Sequence, residues 1–355
     1  MCGRKISLFF TLISCFILNS CHKKEGPPPP MPPKDYFVYG ADVSFLPVIR
    51  KAAYPLYNQQ GMKEDMLVSL KAGGFNAIRL RVWHQPDDPI HGLAEVKKLA
   101  LEARSMGVKI WLSIHYSDTW ADPGAQTKPK AWSNIAYTLL LDSVYQYTKQ
   151  VVEQIQPEYV QIGNEINHGF LWPEGSGSNA SQFFALLQSG AKAVRDNAPN
   201  SIILLHYAGY RNATDYFKWI AGVDYDAIGL SYYPIWHGKS IDSLVQTVQT
   251  LKLNTQKEVM LAEYSYPFTF AWNDYTNNVL GDSSQILPQF PATPLGQKQY
   301  VLYLQQILRE NGASGMAYWG AEWVAFKGKT ATNGSSFENQ ALWDFEGKTL
   351  PILGQ

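Results

Sequence analysis

From Tyr36 onward the chain alternates short apolar, β-branched runs with longer stretches in which apolar positions recur every three or four residues. The short runs are VYGADV (38–43), NAIRLRVW (76–83), VKIWLSIHY (108–116), YVQIGN (159–164), SIILLHY (201–207), YDAIGLSYY (225–233), EVMLAEY (258–264) and SGMAYWG (314–320). Most are apolar along their length and end in polar residues, the pattern of strands buried on both faces. Between them, Leu93, Val96, Leu99, Ala100, Ala103 and Met106 follow helical spacing. So do Leu139, Leu140, Val144, Tyr147, Val151 and Ile155, and again Phe183, Leu186, Leu187, Gly190, Ala191 and Val194. Eight strand–helix units with no composition break predict an α/β fold, a (β/α)8 TIM barrel. It is expected as a single domain over residues 36–355 with enlarged βα loops. The alternative is an open, doubly wound sheet, but no Gly-rich phosphate loop follows the first strand. In a barrel, function collects at the C-terminal ends of the strands.

The segment before the barrel reads as an address. Arg4 and Lys5 precede an apolar run from Ile6 to Leu18, too short to span a bilayer and of the length of a secretory signal. It ends Leu18-Asn19-Ser20-Cys21, which resembles a bacterial lipobox. Residues 1–20 are therefore expected as a lipoprotein signal peptide, with lipidated Cys21 anchoring the protein to a membrane of the bacterial cell envelope. Residues 21–35, with PPPPMPP, form a Pro-rich tether. Cleavage before Cys21 removes Cys2 and Cys15, so no intrachain disulfide and no cysteine metal site remains.

Composition narrows the function. Thirty basic and thirty acidic residues balance, which excludes the electrostatic footprint of a nucleic-acid binder. The aromatic share is 14%, with 11 Trp and 21 Tyr, side chains whose flat faces stack on sugar rings as readily as they fill a core. Several stand at strand ends. Strand 2 carries Arg79, Arg81 and Trp83 on one face, and strand 3 runs into His115, Asp118, Trp120 and Asp122. Strand 4 ends in Asn164-Glu165, strand 6 in Tyr232-Tyr233 with Trp236 and His237 next, strand 7 in Glu263-Tyr264, and strand 8 in Trp319. Glu165 and Glu263 each follow an apolar strand, so both should project into one barrel mouth. Two carboxyl groups across a sugar-sized gap are the minimum equipment for glycoside hydrolysis. One must carry a proton while the other is ionised, so their surroundings must differ. Arg79 is placed to hold Glu263 ionised. His115 and His237 lack the spacing of metal ligands and read as hydrogen-bonding residues of the core or cleft. Trp120 and Trp236, in strand-end loops beside Pro, Gly and Asp, read as cleft aromatics. Asp87 and Asp88 read as a solvated turn.

Longer motifs make the reading specific. HYSDTWADPGAQTKPKAW (115–132), VQIGNEINHGFLWP (160–173), IGLSYYPIWHG (228–238) and SSFENQALWDFEGKTLP (335–351) resemble family 53 of the glycoside hydrolases, the arabinogalactan endo-β-1,4-galactanases. GADVSFLP (40–47) and RLRVW (79–83) fit as well. The resemblance implies a retaining clan A hydrolase with Glu165 as acid/base and Glu263 as nucleophile. It implies supporting roles for Arg79 and Asn164, and Tyr232 or Tyr233 orienting the nucleophile. His115, Asp118, Trp120, His237 and Trp319 would line the sugar subsites. The implied partner is a polysaccharide, β-1,4-galactan, met by a monomer. No cofactor is expected. Some bacterial relatives hold calcium in the loop after strand 7, but here that loop (265–282) has only Asp274 and Asp282 and no His, which departs from their pattern. A mannanase or xylanase of the same clan, or a non-catalytic glycan-binding lipoprotein, is the rival reading.

Overall fold

The computed structural model describes residues 36–354 together with Met1 and Gly3. Apart from those two residues, the expected signal peptide, Cys21 and the tether lie outside the described residues. Eight parallel strands close into a barrel in sequence order. They are β1 (Val38–Asp42), β2 (Ala77–Val82), β3 (Lys109–Ile114), β4 (Tyr159–Ile162), β5 (Ile202–Ala208), β6 (Ala227–Tyr232), β7 (Glu258–Tyr264) and β8 (Gly315–Tyr318). The expected helical stretches are helices Leu93–Ser105, Tyr137–Ile155 and Ala180–Asn197. Ile241–Thr255 and Pro294–Glu310 are the other long helices among the described residues. Among the described residues, no helix is long and apolar enough to cross a membrane. The fourth strand stops two residues before the run read from the sequence. Gly163 (φ 74°) and Glu165 (φ 48°) leave the extended region, which ends the pairing and turns the chain across the barrel mouth.

Strand alternation sorts the side chains into two cores. Val38, Ala77, Trp111, Tyr159, Leu204, Ala227, Met260, Ala262 and Ala317 pack together inside the barrel. Their neighbours one position on, such as Ile78, Leu112, Val160, Leu205, Ile228 and Leu261, belong to the larger core shared with the helices. Gly229 shows how closely the lumen is filled. A Cβ there would stand 2.7 Å from Leu204 Cδ2 and 3.0 Å from Ala262 Cβ. Gly229→Ala is therefore expected to cost about 1–3 kcal/mol of stability by overpacking. Gly222→Ala, where a Cβ meets nothing within 4 Å, should stay within about 0.5 kcal/mol of wild type. Urea titration of both variants checks the difference.

One strand breaks its alternation. Leu230 pairs with Leu261, but Ser231 pairs with Glu263, so β7 holds one extra residue against β6. The same slip appears against β8 between Leu261 and Tyr264. Leu261 and Tyr264 face the outer core, while Ala262 lies in the lumen. A regular pleat would send Glu263 outward with Leu261. The bulge turns it inward instead, a common use of bulges beside active sites.

Candidate active site

Above the apolar floor, the inward positions become polar. Arg79 on β2, Ser113 on β3, Gln161 on β4, His206 on β5 and Ser231 on β6 are all buried. Gln161 Nε2 lies 2.8 Å from Ser113 Oγ, 2.9 Å from Asn164 Oδ1 and 3.1 Å from His206 Nδ1. This layer fixes the groups above it, because a buried polar group stays in the geometry that satisfies its hydrogen bonds.

Glu263 is held from two sides. Arg79 Nη2 donates to its Oε1 at 2.7 Å and the Tyr233 hydroxyl donates to its Oε2 at 3.1 Å. Arg79 is itself clamped: Nη1 donates to Asp42 Oδ2 at 2.8 Å, and Nη2 donates to Asn164 Oδ1 at 3.0 Å. The Ser44 hydroxyl donates to the other Asp42 oxygen at 2.6 Å. Burial pushes the Glu263 carboxyl up, and Arg79 and Tyr233 oppose that push by favouring the anion.

Glu165 has a different environment. It accepts from the Ser231 hydroxyl at 2.5 Å and has no direct cationic partner among the described residues. Burial, then the charge of Glu263, pushes its carboxyl up to about 8, against smaller opposing effects of Ser231 and Arg79. Near neutral pH the pair therefore shares one proton, and Arg79 beside Glu263 decides that Glu165 holds it. Two like charges in one buried site do not ionise together.

These carboxyls open onto a cavity of about 380 Å³. Arg79, Asn164, Tyr233, His115, Trp120, His237 and Trp319 from the sequence reading line it, as does Trp236. Its sides are aromatic. Trp120 lies 6.3 Å from Trp319 between ring centres, and Trp319 meets Phe337 edge-on at 4.8 Å. The Arg81 guanidinium sits 3.9 Å above the Trp120 ring and lines the same cavity. Trp236, 55% exposed, stands against Tyr233 at the other side.

The two histidines are neutral hydrogen-bond acceptors. His115 Nδ1 accepts from Trp83 Nε1 and from the Ala121 amide, both at 3.3 Å. His237 Nδ1 accepts from the Tyr233 amide at 3.0 Å, and burial pulls its ring down to about 4. Two residues of the sequence reading fall elsewhere. Asp118 is not among the cavity-lining residues. Its carboxylate accepts from the Gln85 and Lys130 amides, each at 2.8 Å, and so pins two loops together. Tyr232 points into the outer core, where it is fully buried, and its hydroxyl has no partner among the described residues. Tyr233, one residue on, takes the inward position and touches Glu263. Sequence reasoning passed over Asp42, Gln161, His206 and Ser231. The signal was present as single polar residues at alternate positions of otherwise apolar strands.

In the loop after β7 the carboxylates are engaged by backbone amides. Asp282 accepts from the Ser284 amide at 2.7 Å, and Asp274 from the Thr276 amide at 2.6 Å. Glu338 across the loop accepts from the Asn273 amide at 2.9 Å, and burial pushes it up to about 7. Glu338 Oε2, Asn278 Oδ1 and Asn339 Oδ1 are buried without partners. Yet among the described residues no three His, Cys, Asp or Glu side chains gather to hold a metal. Calcium usually takes six to eight oxygens, several of them charged.

Comparison with known proteins agrees with the geometry. The profile of Glycosyl hydrolase family 53 matches residues 38–354. An "Arabinogalactan endo-beta-1,4-galactanase" of Cellvibrio japonicus is 36% identical over 87% of this chain and 86% of its own length. An "Endo-beta-1,4-galactanase" of Bacillus subtilis is 31% identical over 89% of this chain and 84% of its own. The solved catalytic domain of the family from Ignisphaera aggregans superposes with a TM-score of 0.85 at 37% identity, covering 92% of this chain and 97% of that one. With the barrel, the paired carboxyls at its mouth and a profile match across nearly all the described residues, this chain belongs to glycosyl hydrolase family 53.

Proposed function

We propose that this protein is a retaining endo-β-1,4-galactanase acting on β-1,4-galactan and the type I arabinogalactan of pectin. The observation that carries the mechanism is the unequal pair: Glu263 is bridged by Arg79 at 2.7 Å, which favours its anion, whereas burial and the charge of Glu263 push Glu165 up to about 8, favouring its protonated form. Glu165 protonates the glycosidic oxygen while Glu263 attacks the anomeric carbon from the opposite face, forming a glycosyl-enzyme. Glu165, now ionised, takes a proton from water, which attacks the same carbon and frees Glu263 with net retention. Asn164 and Tyr233 hold the nucleophile's surroundings in place, and Trp120, Trp236 and Trp319 offer stacking faces for the sugars. No step needs a metal or an organic cofactor. The names of the relatives support galactan over mannan or xylan. A glycan-binding protein without catalysis has no use for two buried carboxyls kept in opposite protonation states.

We also propose that the enzyme works as a monomer, lipid-anchored through Cys21 in the bacterial cell envelope. The lipobox-like sequence supports the anchor. A reducing-sugar assay tests the activity. New reducing ends should appear from β-1,4-galactan and not from mannan or xylan, at a rate EDTA does not change. Release from mannan or xylan alone would reassign the substrate. Loss with EDTA and recovery with calcium would show that the loop after β7 holds a working metal site.

A further inference from the structure

Glu165 does not stand alone on its strand end; a short hydrogen-bond chain from two other strands reaches it. Ser231 Oγ on β6 lies 2.5 Å from Glu165 Oε1 and 2.9 Å from His206 Nε2 on β5. The direction of that chain follows from the far side of the imidazole. His206 Nδ1 is 3.1 Å from Asn164 Oδ1, but that oxygen already accepts from Arg79 Nη2 at 3.0 Å and Gln161 Nε2 at 2.9 Å. Its two lone pairs are occupied. Nδ1 is instead faced by the Glu165 amide N–H, which donates to it at 3.4 Å, while the Gln161 Nε2 hydrogens go to Ser113 Oγ and Asn164 Oδ1. The ring proton therefore sits on Nε2 and points at Ser231. With that lone pair filled, the Ser231 hydroxyl hydrogen is left for Glu165 Oε1. Glu165 Oε2 has no partner among the described residues, and the residue lines the cavity.

We propose that Ser231, oriented by the Nε2–H form of His206, is the positioning residue of the acid/base: it keeps Oε1 as an acceptor and so assigns the transferable proton to Oε2, the oxygen left for the substrate. The inference rests on Glu165 being the acid/base. One arrangement serves both half-reactions. In glycosylation the proton leaves Oε2 for the glycosidic oxygen, and in deglycosylation Oε2 receives a proton from water. Ser231 and His206 keep their own protons throughout. A neutral ring suits this task, and burial together with the charge of Arg79 holds His206 neutral. The other groups facing Glu165 are Glu263 from β7, Arg79 from β2, Asp122 after β3 and Tyr233 after β6. None of them donates to Oε1.

The pH dependence of kcat/KM on galactan tests the assignment. Its alkaline limb reports the loss of the acid's proton in the free enzyme. A donor on Oε1 favours the anion, so removing it raises the acid's pKa and moves that limb upward. Ser231→Ala is expected to move it up by about half to one pH unit. Ser231→Cys, nearly the same size but a poor donor, should move it the same way, which separates the lost donor from a packing defect. Both should lose about tenfold or more in kcat on galactan and much less in attack on an aryl galactobioside, whose leaving group needs the proton least. Folded variants with an unmoved limb would overturn the proposal. A Glu165→Gln control on the aryl substrate tests the underlying assignment separately. The alkaline limb should vanish there, and a persisting limb would remove Glu165, rather than Ser231, from its role.

Discussion

Glu263→Ala is expected to abolish turnover with every substrate, whereas Glu165→Ala should retain attack on substrates with good leaving groups. Glu263 supplies the bond to the anomeric carbon, and no leaving group compensates for a missing nucleophile. The loss in kcat should be on the order of 10⁴-fold or more, as for removal of a nucleophile elsewhere. Glu165 supplies a proton, which an activated aryl leaving group needs least. Glu165→Ala should therefore form its glycosyl-enzyme from an aryl galactobioside and then stall, because the same residue is the base for water. Azide needs no base, so it should speed turnover of this variant and yield the β-galactosyl azide. In Glu263→Ala, azide attacking the opposite face should give the α-azide if it gives a product. Identification of the anomer by proton NMR checks the assignment, and exchanged anomers would exchange the two roles.

Arg79→Met is expected to be the most damaging change outside the two carboxyls, in stability and activity together. Arg79 is 2% exposed and pairs with Asp42 and Glu263 at once, at 2.8 Å and 2.7 Å. Its removal leaves two buried acids facing each other without a cation, a situation that costs about 3–5 kcal/mol. The variant folds best when Glu263 is protonated. Burial already pushes its carboxyl up, and loss of Arg79 removes the main opposing effect, so stability is greatest at low pH and falls as pH rises through the raised folded-state value. Activity moves the opposite way. Glu263 must be ionised to attack, so the acid limb of the rate profile should shift upward and kcat/KM at neutral pH should fall by about 10³-fold or more. Arg79→Lys retains the charge but cannot bridge Asp42, Asn164 and Glu263 together, and should recover only part of either loss. Thermal melts at pH 5 and pH 8, with rate profiles, check both arms. A wild-type acid limb in Arg79→Met would show that the guanidinium does not set the state of Glu263.

The barrel was legible because buried parallel strands are written as continuous apolar runs, and all eight lie within a residue or two of those runs. Glu165 was legible because a carboxyl group directly after such a run has few places to go but the mouth; Glu263 lies within β7 and reaches the mouth through a bulge that the run itself does not reveal. Alternation also held the choice between Tyr232 and Tyr233. Ala227 faces the lumen, so Ser231 and Tyr233 share its face and Tyr232 does not. Asp118 was misplaced because a carboxylate in a loop that caps two backbone amides looks, in sequence, like one that binds a sugar. Asp42 and His206 were hidden by the same apolar runs that revealed the strands. A lone polar residue inside such a run gains its meaning only when its partners on other strands are known.

The bulge in β7 bears on how this site tolerates change. Glu263 reaches the mouth because one residue more is threaded between Leu261 and Tyr264 than the pleat allows. What the strand specifies there is a count as well as a kind of residue. Substitutions at Ala262 or Met260 perturb packing and leave the carboxyl where it is. Loss of Ala262 restores a regular pleat with Glu263 in the inward place that Ala262 held, so what the extra residue adds is a second inward side chain beneath the carboxyl.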